Sequence, residues 1–221
     1  MTRVRSLVKA THFPQALLMV TLTAVATALY GQHGIGLLFV LIATAAGQAS
    51  IGWVNDFVDA KTDRELNRTN KPSVKYALDP KNLRIPVLIA LLITVPFSFL
   101  AAGLVGGLAN ILAIASAQIY NLYLSRTVWS WLPYAVSFML LTVFITQSNS
   151  VNLWPSWQIL IIASCVGIIA HIFNALPDLA IDKKAKLGGL VVSLGKARAF
   201  IFLALLGLIL LTVLLQVVLT K

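Results

Sequence analysis

The sequence predicts an all-α polytopic membrane protein. Of its 221 residues, 59% are hydrophobic and only 11% are charged, and its mean hydropathy is +0.89. A soluble domain carries about twice that charged fraction. The apolar residues form continuous runs, whereas a membrane barrel shows alternating segments of about ten residues. Because backbone groups in lipid must be satisfied within the segment, we expect these runs to be helices.

Seven segments are apolar enough to be transmembrane helices, each of which takes about 20 residues. They lie at 15–31, 35–54, 85–103, 107–124, 131–147, 157–175 and 199–219. The single cysteine, Cys165, lies inside one of these segments, so the sequence carries no disulfide framework. We see no polar tail or linker between the segments and therefore predict a single domain over residues 1–221.

The basic residues indicate the orientation of these segments. Sixteen of the 17 precede the first segment or follow the second, fourth and sixth, and only Lys221 falls on the opposite side. Cytoplasmic loops are enriched in Lys and Arg, so we predict a cytoplasmic N-terminus. Topology and contact with anionic lipid then explain the net charge of +10 without nucleic acid. The lack of a Ser- and Arg-rich transit segment favours a prokaryotic plasma membrane.

The acidic residues have a narrower distribution. All seven lie in the two loops that follow the second and sixth segments. Acidic residues contribute little to orientation, so these positions need another explanation. An ion path would place charged residues through the depth of the bilayer, and the sequence lacks them there. We therefore expect the chemistry to lie at the cytoplasmic interface.

Two stretches, NDFVDAKTD and NALPDLAID, repeat one arrangement of polar residues. In each, an asparagine is followed by aspartates four and eight positions later; the two sets are Asn55, Asp59 and Asp63, and Asn174, Asp178 and Asp182. Residues at this spacing lie along one face of a helix, which predicts two stripes of oxygen ligands where helices leave the membrane. Like charges four residues apart repel, so two facing stripes would require bound cations.

The ligand types indicate which cation and substrate to expect. Carboxylate and amide oxygens suit Mg²⁺ or Ca²⁺, whereas zinc and copper favour His or Cys. Mg²⁺ usually takes one or two carboxylates and leaves positions for substrate phosphates. Arg68 and Lys71 follow the first set, and Arg126 ends the fourth segment. Because arginine matches phosphate oxygens, we predict Mg²⁺ and a phosphorylated substrate.

At these residues the sequence resembles the UbiA superfamily of intramembrane prenyltransferases. The family motif NDxxDxxxD is matched from Asn55 to Asp63, and the following RTNKP is similar to the family's RTxxRP. The second motif, DxxxD, is matched by Asp178 and Asp182, and GLVVSLGKARA resembles the segment that follows it. The resemblance extends from near the N-terminus to about residue 199.

The resemblance implies a bundle of about seven helices around a central cavity, with two Mg²⁺ ions bridging the motifs and an isoprenyl diphosphate. The implied metal ligands are Asn55, Asp59, Asp63, Asp178 and Asp182, and the four aspartates would be catalytic. The implied diphosphate contacts are Arg68, Lys71, Tyr120 and Arg126, the last two from a loosely matched element that contains a tyrosine. Family members typically have nine helices, so the cavity is expected to be more open here or to be completed by a partner subunit.

Three polar residues near these motifs are candidates to line the cavity. Gln48 lies seven positions before Asn55, and His171 lies three before Asn174, so both are near the predicted stripes. We expect Gln48, His171 and Asn174 either to touch substrate or to form hydrogen bonds between helices.

The resemblance implies Mg²⁺-dependent transfer of an isoprenyl group from an allylic diphosphate to an aromatic or lipid acceptor through a carbocation. A membrane terpene cyclase is the closest alternative, because it would share the ionisation step and therefore the same motifs. A non-catalytic magnesium or phosphate transporter is a third reading, and a lipid-diphosphate carrier without turnover is a fourth. The expected partners are the donor, an unidentified hydrophobic acceptor, membrane lipids and a possible second copy of the chain.

Overall fold

The computed structural model describes residues 3–69, 71–149 and 153–219, and these residues form helices and turns without a β-strand. The helices are α1 (Arg3–Ala10), α2 (Phe13–Leu29), α3 (Gly34–Glu65), α4 (Pro72–Lys75), α5 (Arg84–Ile119), α6 (Leu132–Gln147), α7 (Trp157–Ala175), α8 (Leu179–Lys184) and α9 (Leu190–Leu219). A 3₁₀ turn precedes α5 and a π-helical turn follows it. This architecture confirms the predicted fold class. Lys221 lies outside the described residues.

Several of these helices have the length and apolar character of membrane spans. Within the described ranges, four helical segments meet both conditions: Gly34–Glu65, Pro80–Leu124, Trp157–Ala175 and Leu190–Leu219. The bent pair α1 and α2, with 63° between its helices, would be a fifth, and α6 is apolar but shorter. The number of crossings and the cytoplasmic N-terminus stay predictions.

α5 folds back on itself instead of forming one straight rod. Gly103 interrupts it with φ +60° and ψ −161°. Asn110 Nδ2 donates a hydrogen bond of 2.8 Å to Ser98 Oγ. Twelve residues of straight helix would separate these side chains by about 18 Å, so the two arms of α5 must pack against each other. The break falls at the end of the predicted segment 85–103, before the segment 107–124 begins.

We expect Gly103→Ala to destabilise the protein by about 1–3 kcal/mol, because only glycine adopts this backbone conformation without strain. An added Cβ would meet nothing within 4 Å, so the cost is conformational and not steric. The matched control is Gly207→Ala in α9, where the site is equally open and the backbone lacks a positive φ. Thermal unfolding in detergent should show a lower Tm for the first variant alone. An equal Tm for both variants would contradict the strain argument.

Contacts divide the chain into two compact units. The described parts of residues 1–114 and 143–153 form unit 1, and those of 115–142 and 154–221 form unit 2. The single domain expected over 1–221 remains a prediction.

Unit 1 is built on the pairing of α2 with α3. α1, α4 and the 3₁₀ turn pack against α3 near its C-terminal end. A small apolar core holds this region together, and its members are Ala10, Leu78 and Leu83 with Leu7 and Trp53 packed against them. The amphipathic start of the chain and the loop after α3 are therefore fixed to the part of α3 that carries the first polar motif.

Unit 2 is built on the pairing of α7 with α9. Its buried core is Ala135, Cys165, Ile168, Ile172, Val191, Ala199 and Leu206. Cys165 is a free thiol buried inside this core. α9 bends at Gly195, where φ is +73°, so the predicted segment 199–219 is the straight part beyond the bend.

Candidate functional site

The first polar motif lies on the last turns of α3. This helix has 32 residues and is therefore about 48 Å long, whereas a bilayer's hydrocarbon core is about 30 Å thick. Residues 55–63 follow the apolar stretch and remain helical to Glu65. The helix that the spacing predicted for the first stripe is thus present.

Asn55 and Asp59 form one face of this motif. Asn55 Nδ2 donates a hydrogen bond of 3.2 Å to Asp59 Oδ2, and both side chains are partly exposed. This contact requires the i, i+4 geometry that the sequence predicts. A partly solvated carboxylate beside an amide is a suitable ligand pair for a hard cation.

Asp56 and Asp63 form a second, buried face. Their side chains are 2% and 1% exposed, and seven helical residues place them only about 20° apart around the axis. Asp63 thus differs in its environment from Asn55 and Asp59, the residues with which the spacing had grouped it. The motif therefore presents two faces, one partly open and one buried.

The two basic residues after α3 pair with this buried face. Arg68 Nη1 lies 3.5 Å from Asp63 Oδ1, and Lys71 Nζ lies 3.9 Å from Asp56 Oδ1. Both basic side chains are largely buried, with 12% and 17% of their surface exposed. Their predicted contact with a diphosphate remains a prediction, and in this structure their partners are aspartates.

The charge state of Asp63 responds to this environment. The pKa of Asp63 is raised to about 6; burial is the main cause, and the negative charges of Asp59 and Asp56 contribute to the rise. The positive charges of Lys71 and Arg68 act in the opposite direction. Asp63 lies nine residues beyond the apolar stretch, outside the part of α3 expected in lipid.

The donor atoms of this motif fit Mg²⁺. Asp63 Oδ2 is buried and has no hydrogen-bond partner among the described residues, which is unusual because buried carboxylate oxygens are normally paired. No cluster of three or more His, Cys, Asp or Glu residues suited to a metal occurs in the described part of the chain. Mg²⁺ usually takes only one or two carboxylates and completes its shell with phosphate and water, so these oxygens remain a suitable set.

The second motif does not lie on one continuous helix, which corrects the predicted second stripe. Asn174 is near the end of α7, Asp178 directly precedes α8, and Asp182 lies within α8. Three residues in turns separate these helices, and Pro177 among them lacks the N–H that a continuing helix needs. Asp178 and Asp182 are both partly exposed.

An aromatic cluster lies beside this motif in unit 2. The rings of Tyr120 and Tyr134 meet edge to face, with their centroids 5.1 Å apart. The centroid of the His171 ring lies 5.8 Å from that of Tyr120 and 5.0 Å from that of Tyr134. His171 Nε2 lies 3.0 Å from Ser130 Oγ, and Asn174 Nδ2 lies 3.5 Å from the Tyr134 hydroxyl. His171, predicted near the site, thus contacts Tyr120 directly, and Asn174 is joined to Tyr120 through Tyr134. Tyr120 opens the π-helical turn, a feature frequent at functional sites.

Arg126 and Gln48 are the remaining predicted residues. Arg126 is exposed in the turn before α6, and a Cβ at Gly188 would clash with its carbonyl oxygen. Glycine at 188 therefore allows the loop after α8 to pack against this backbone. Gln48 is partly buried on α3, two turns before Asn55.

Sequence reasoning missed three residues that take part in these contacts: His12, Asp56 and Tyr134. The i, i+7 spacing of Asp56 and Asp63 could have indicated their shared face. His12, which contacts Asp56, and Tyr134 carried no signal, because their contacts depend on how distant segments pack.

These features define a helical membrane protein with sets of oxygen ligands at the ends of its apolar helices. A family model described as the UbiA prenyltransferase family matches residues 17–220. Because this match covers most of the chain, the protein belongs to the UbiA prenyltransferase family, as its motifs predict. A comparison with curated proteins finds no match.

Solved structures of a UbiA homolog from Archaeoglobus fulgidus have a similar fold. Two of them, bound to GPP and Mg²⁺ and to DMAPP and Mg²⁺, each give a TM-score of 0.82 at 19% identity, covering 98% of this chain and 78% of that chain. A third, bound to Cd²⁺, gives 0.79 at 17% identity, with 98% and 79% coverage. At these identities the likeness establishes the fold, and it agrees with the predicted helical membrane architecture.

Proposed function

We propose that the protein is a Mg²⁺-dependent intramembrane prenyltransferase that transfers an isoprenyl group from an allylic diphosphate to an aromatic or lipid acceptor. The observation that carries this proposal is the acidic motif at the end of α3, paired with Arg68 and Lys71, in a chain of the UbiA family. Structures of a homolog with GPP or DMAPP and Mg²⁺ support the donor class.

The residues proposed to hold Mg²⁺ come from both motifs. They are Asn55, Asp59, Asp63, Asp178 and Asp182, all with oxygen donors. Mg²⁺ held by these residues would act as a Lewis acid on the diphosphate and so make it a better leaving group. The Asp63 oxygen that has no hydrogen-bond partner among the described residues supports this assignment, as does the hard-ligand character of the set.

The basic side chains have a separate task. Arg68 and Lys71 are held in place by Asp63 and Asp56, so their positive charge is already positioned before substrate arrives. Preorganised charge of this kind stabilises negative charge that develops on a leaving group. We propose that Arg68 and Lys71 bind the diphosphate, with Tyr120 and Arg126 as further contacts.

The proposed reaction breaks the bond between the allylic carbon and the diphosphate oxygen, and the diphosphate keeps the electron pair. The acceptor's nucleophilic atom then bonds to the allylic carbon and loses a proton. The cation must be kept from water until this bond forms, and apolar helices provide that exclusion. The aromatic rings near His171 are suitable neighbours for a cation, because ring faces attract positive charge.

We further propose that the protein lies in a prokaryotic plasma membrane with its motifs facing the cytoplasm. The support is the concentration of basic residues in the same loops that hold the motifs.

The test is incubation of the purified protein with Mg²⁺ and geranylgeranyl or farnesyl diphosphate, first alone and then with phenolic or polar-lipid acceptors. Pyrophosphate release that starts only when an acceptor is added, together with a prenylated product, is the expected result. Release without acceptor, with a cyclic hydrocarbon product, would identify a cyclase instead. No turnover with any acceptor, together with diphosphate uptake into vesicles, would contradict an enzyme.

A further inference from the structure

A buried contact outside the predicted ligand set joins three separate segments of the chain at Asp56. This side chain is 2% exposed, and its Oδ1 lies 2.9 Å from His12 Nε2 and 3.9 Å from Lys71 Nζ. His12 precedes α2, Asp56 lies on α3, and Lys71 directly precedes α4. One carboxylate therefore connects the turn between α1 and α2 to the loop after α3.

The backbone places His12 for this contact. Its φ of +54° lies in the left-handed region, which residues other than glycine rarely adopt. The turn also packs closely on α3, since a Cβ at Gly52 would lie 2.6 Å from the carbonyl group of Thr11. On the α1 side, Trp53 Nε1 donates a hydrogen bond of 3.0 Å to the Leu7 carbonyl. The turn is thus held against α3 beside the carboxylate.

His12 is the partner of Asp56 at hydrogen-bonding distance. An ionised carboxylate only accepts hydrogen bonds, so the His12 ring nitrogen is the donor. The 3.9 Å from Lys71 is longer than a hydrogen bond, and Asp56 Oδ2 has no partner in the described residues. Without His12, the buried carboxylate would have Lys71 as its remaining nearby cation and would draw it closer. The His12 contact therefore keeps the Lys71 ammonium from being fully engaged by Asp56.

We propose that His12 and Asp56 are positioning residues, which set the location of the Lys71 ammonium for the substrate diphosphate. This proposal rests on the proposed function, because Lys71 is assigned there to the diphosphate. His12 acts through Asp56 on Lys71 and does not itself touch substrate. The N-terminal turn is therefore part of the diphosphate site in function, although it lies more than 40 residues before the first motif.

The proposal is tested by a double-mutant cycle that uses inorganic pyrophosphate with Mg²⁺ as the probe. Isothermal titration of the full chain in lipid nanodiscs would compare His12→Leu, Lys71→Met and the double variant. We expect each single variant to bind pyrophosphate about tenfold more weakly than the wild type. The double variant should bind no more weakly than either single variant, because the effects of residues that act through one another are not additive. His12→Gln keeps an amide donor and should recover most of the lost affinity. The matched control, His33→Leu, changes an exposed histidine outside the site and should bind as the wild type does.

A second measurement follows the N-terminal turn and does not depend on substrate. Limited trypsin digestion after Lys9, an exposed residue next to this turn, should be several-fold faster in His12→Leu than in the wild type or His33→Leu. This result is expected because the turn loses the contact between His12 and Asp56 that holds it against α3. It also shows whether His12→Leu remains otherwise folded, since cleavage elsewhere should be unchanged.

The outcomes separate this proposal from the function on which it rests. Three results would each overturn the positioning role. They are wild-type affinity for pyrophosphate in His12→Leu, an affinity about a hundredfold below wild type in the double variant, and no recovery of affinity in His12→Gln. If the wild type itself fails to bind pyrophosphate, the proposed function fails and the role of Lys71 fails with it. Unchanged digestion after Lys9 would overturn the structural contact whatever the binding results.

Discussion

Turnover is expected to fall by about 1,000-fold or more in Asp59→Ala and likewise in Asp178→Ala, while both variants remain folded and inserted. Loss of one preorganised electrostatic group typically lowers kcat by about 10²–10³, and a metal ligand also sets the position of the substrate. Both side chains are partly exposed, so their removal leaves no cavity in a core. Pyrophosphate release from an allylic diphosphate measures the effect.

The matched control for Asp59→Ala is Glu65→Ala. Glu65 lies on the same helix and loses the same charge, but it is exposed and pairs only at the surface with Lys61, 3.9 Å away. Surface pairs of this kind contribute little, so Glu65→Ala should retain nearly full activity. Full activity in both Asp59→Ala and Asp178→Ala would show that these residues hold no essential metal.

The helices were predictable because the physical signal is local. Twenty apolar residues in a row cannot be solvated as coil, and the backbone in lipid must form its own hydrogen bonds, so apolar runs mark helices directly. The break in α5 lies in an apolar run, 85–124, that is about twice as long as one transmembrane helix needs, so the signal for dividing this run was its length.

The environments of the site residues were less predictable. Spacing groups Asp63 with Asn55 and Asp59, yet Asp63 is buried because the loop after α3 returns and places Arg68 against it. The spacing of the second motif predicts a helix, but Pro177 divides it. In the first case the deciding contact comes from tertiary packing, which one helix's periodicity cannot show. In the second, the proline was a local signal that carried more weight than the spacing.

The two faces of the first motif explain how the repulsion between its aspartates is offset. Three aspartates within eight residues repel one another on a helix. Asp56 and Asp63 are stabilised within the protein by His12, Lys71 and Arg68, and those contacts hold the basic loop against α3. The face of Asn55 and Asp59 is the one left partly open to solvent. One short motif thus both anchors the cationic loop and presents oxygen ligands for a metal.

Removal of Mg²⁺ is expected to abolish turnover completely, and its return should restore activity. Zinc should not substitute, because it prefers four-coordinate sites with His or Cys ligands and so would not hold a diphosphate in the octahedral geometry of Mg²⁺. Ca²⁺ should support much less activity, because it prefers six to eight ligands in a looser geometry and positions a diphosphate less tightly. The measurement is pyrophosphate release after chelation with EDTA and addition of each metal in turn.

A binding readout makes this prediction independent of the unidentified acceptor. A ligand that binds only the folded state stabilises it by about 2.7 kcal/mol at a hundred times its Kd, so Mg²⁺ with pyrophosphate should raise the Tm. The shift should vanish in Asp59→Ala and persist in Glu65→Ala, because only the first variant loses a proposed ligand. An undiminished shift in Asp59→Ala would mean that the metal is held without this carboxylate. Activity that survives exhaustive chelation would instead mean that charge on the leaving group is neutralised by Arg68 and Lys71 alone.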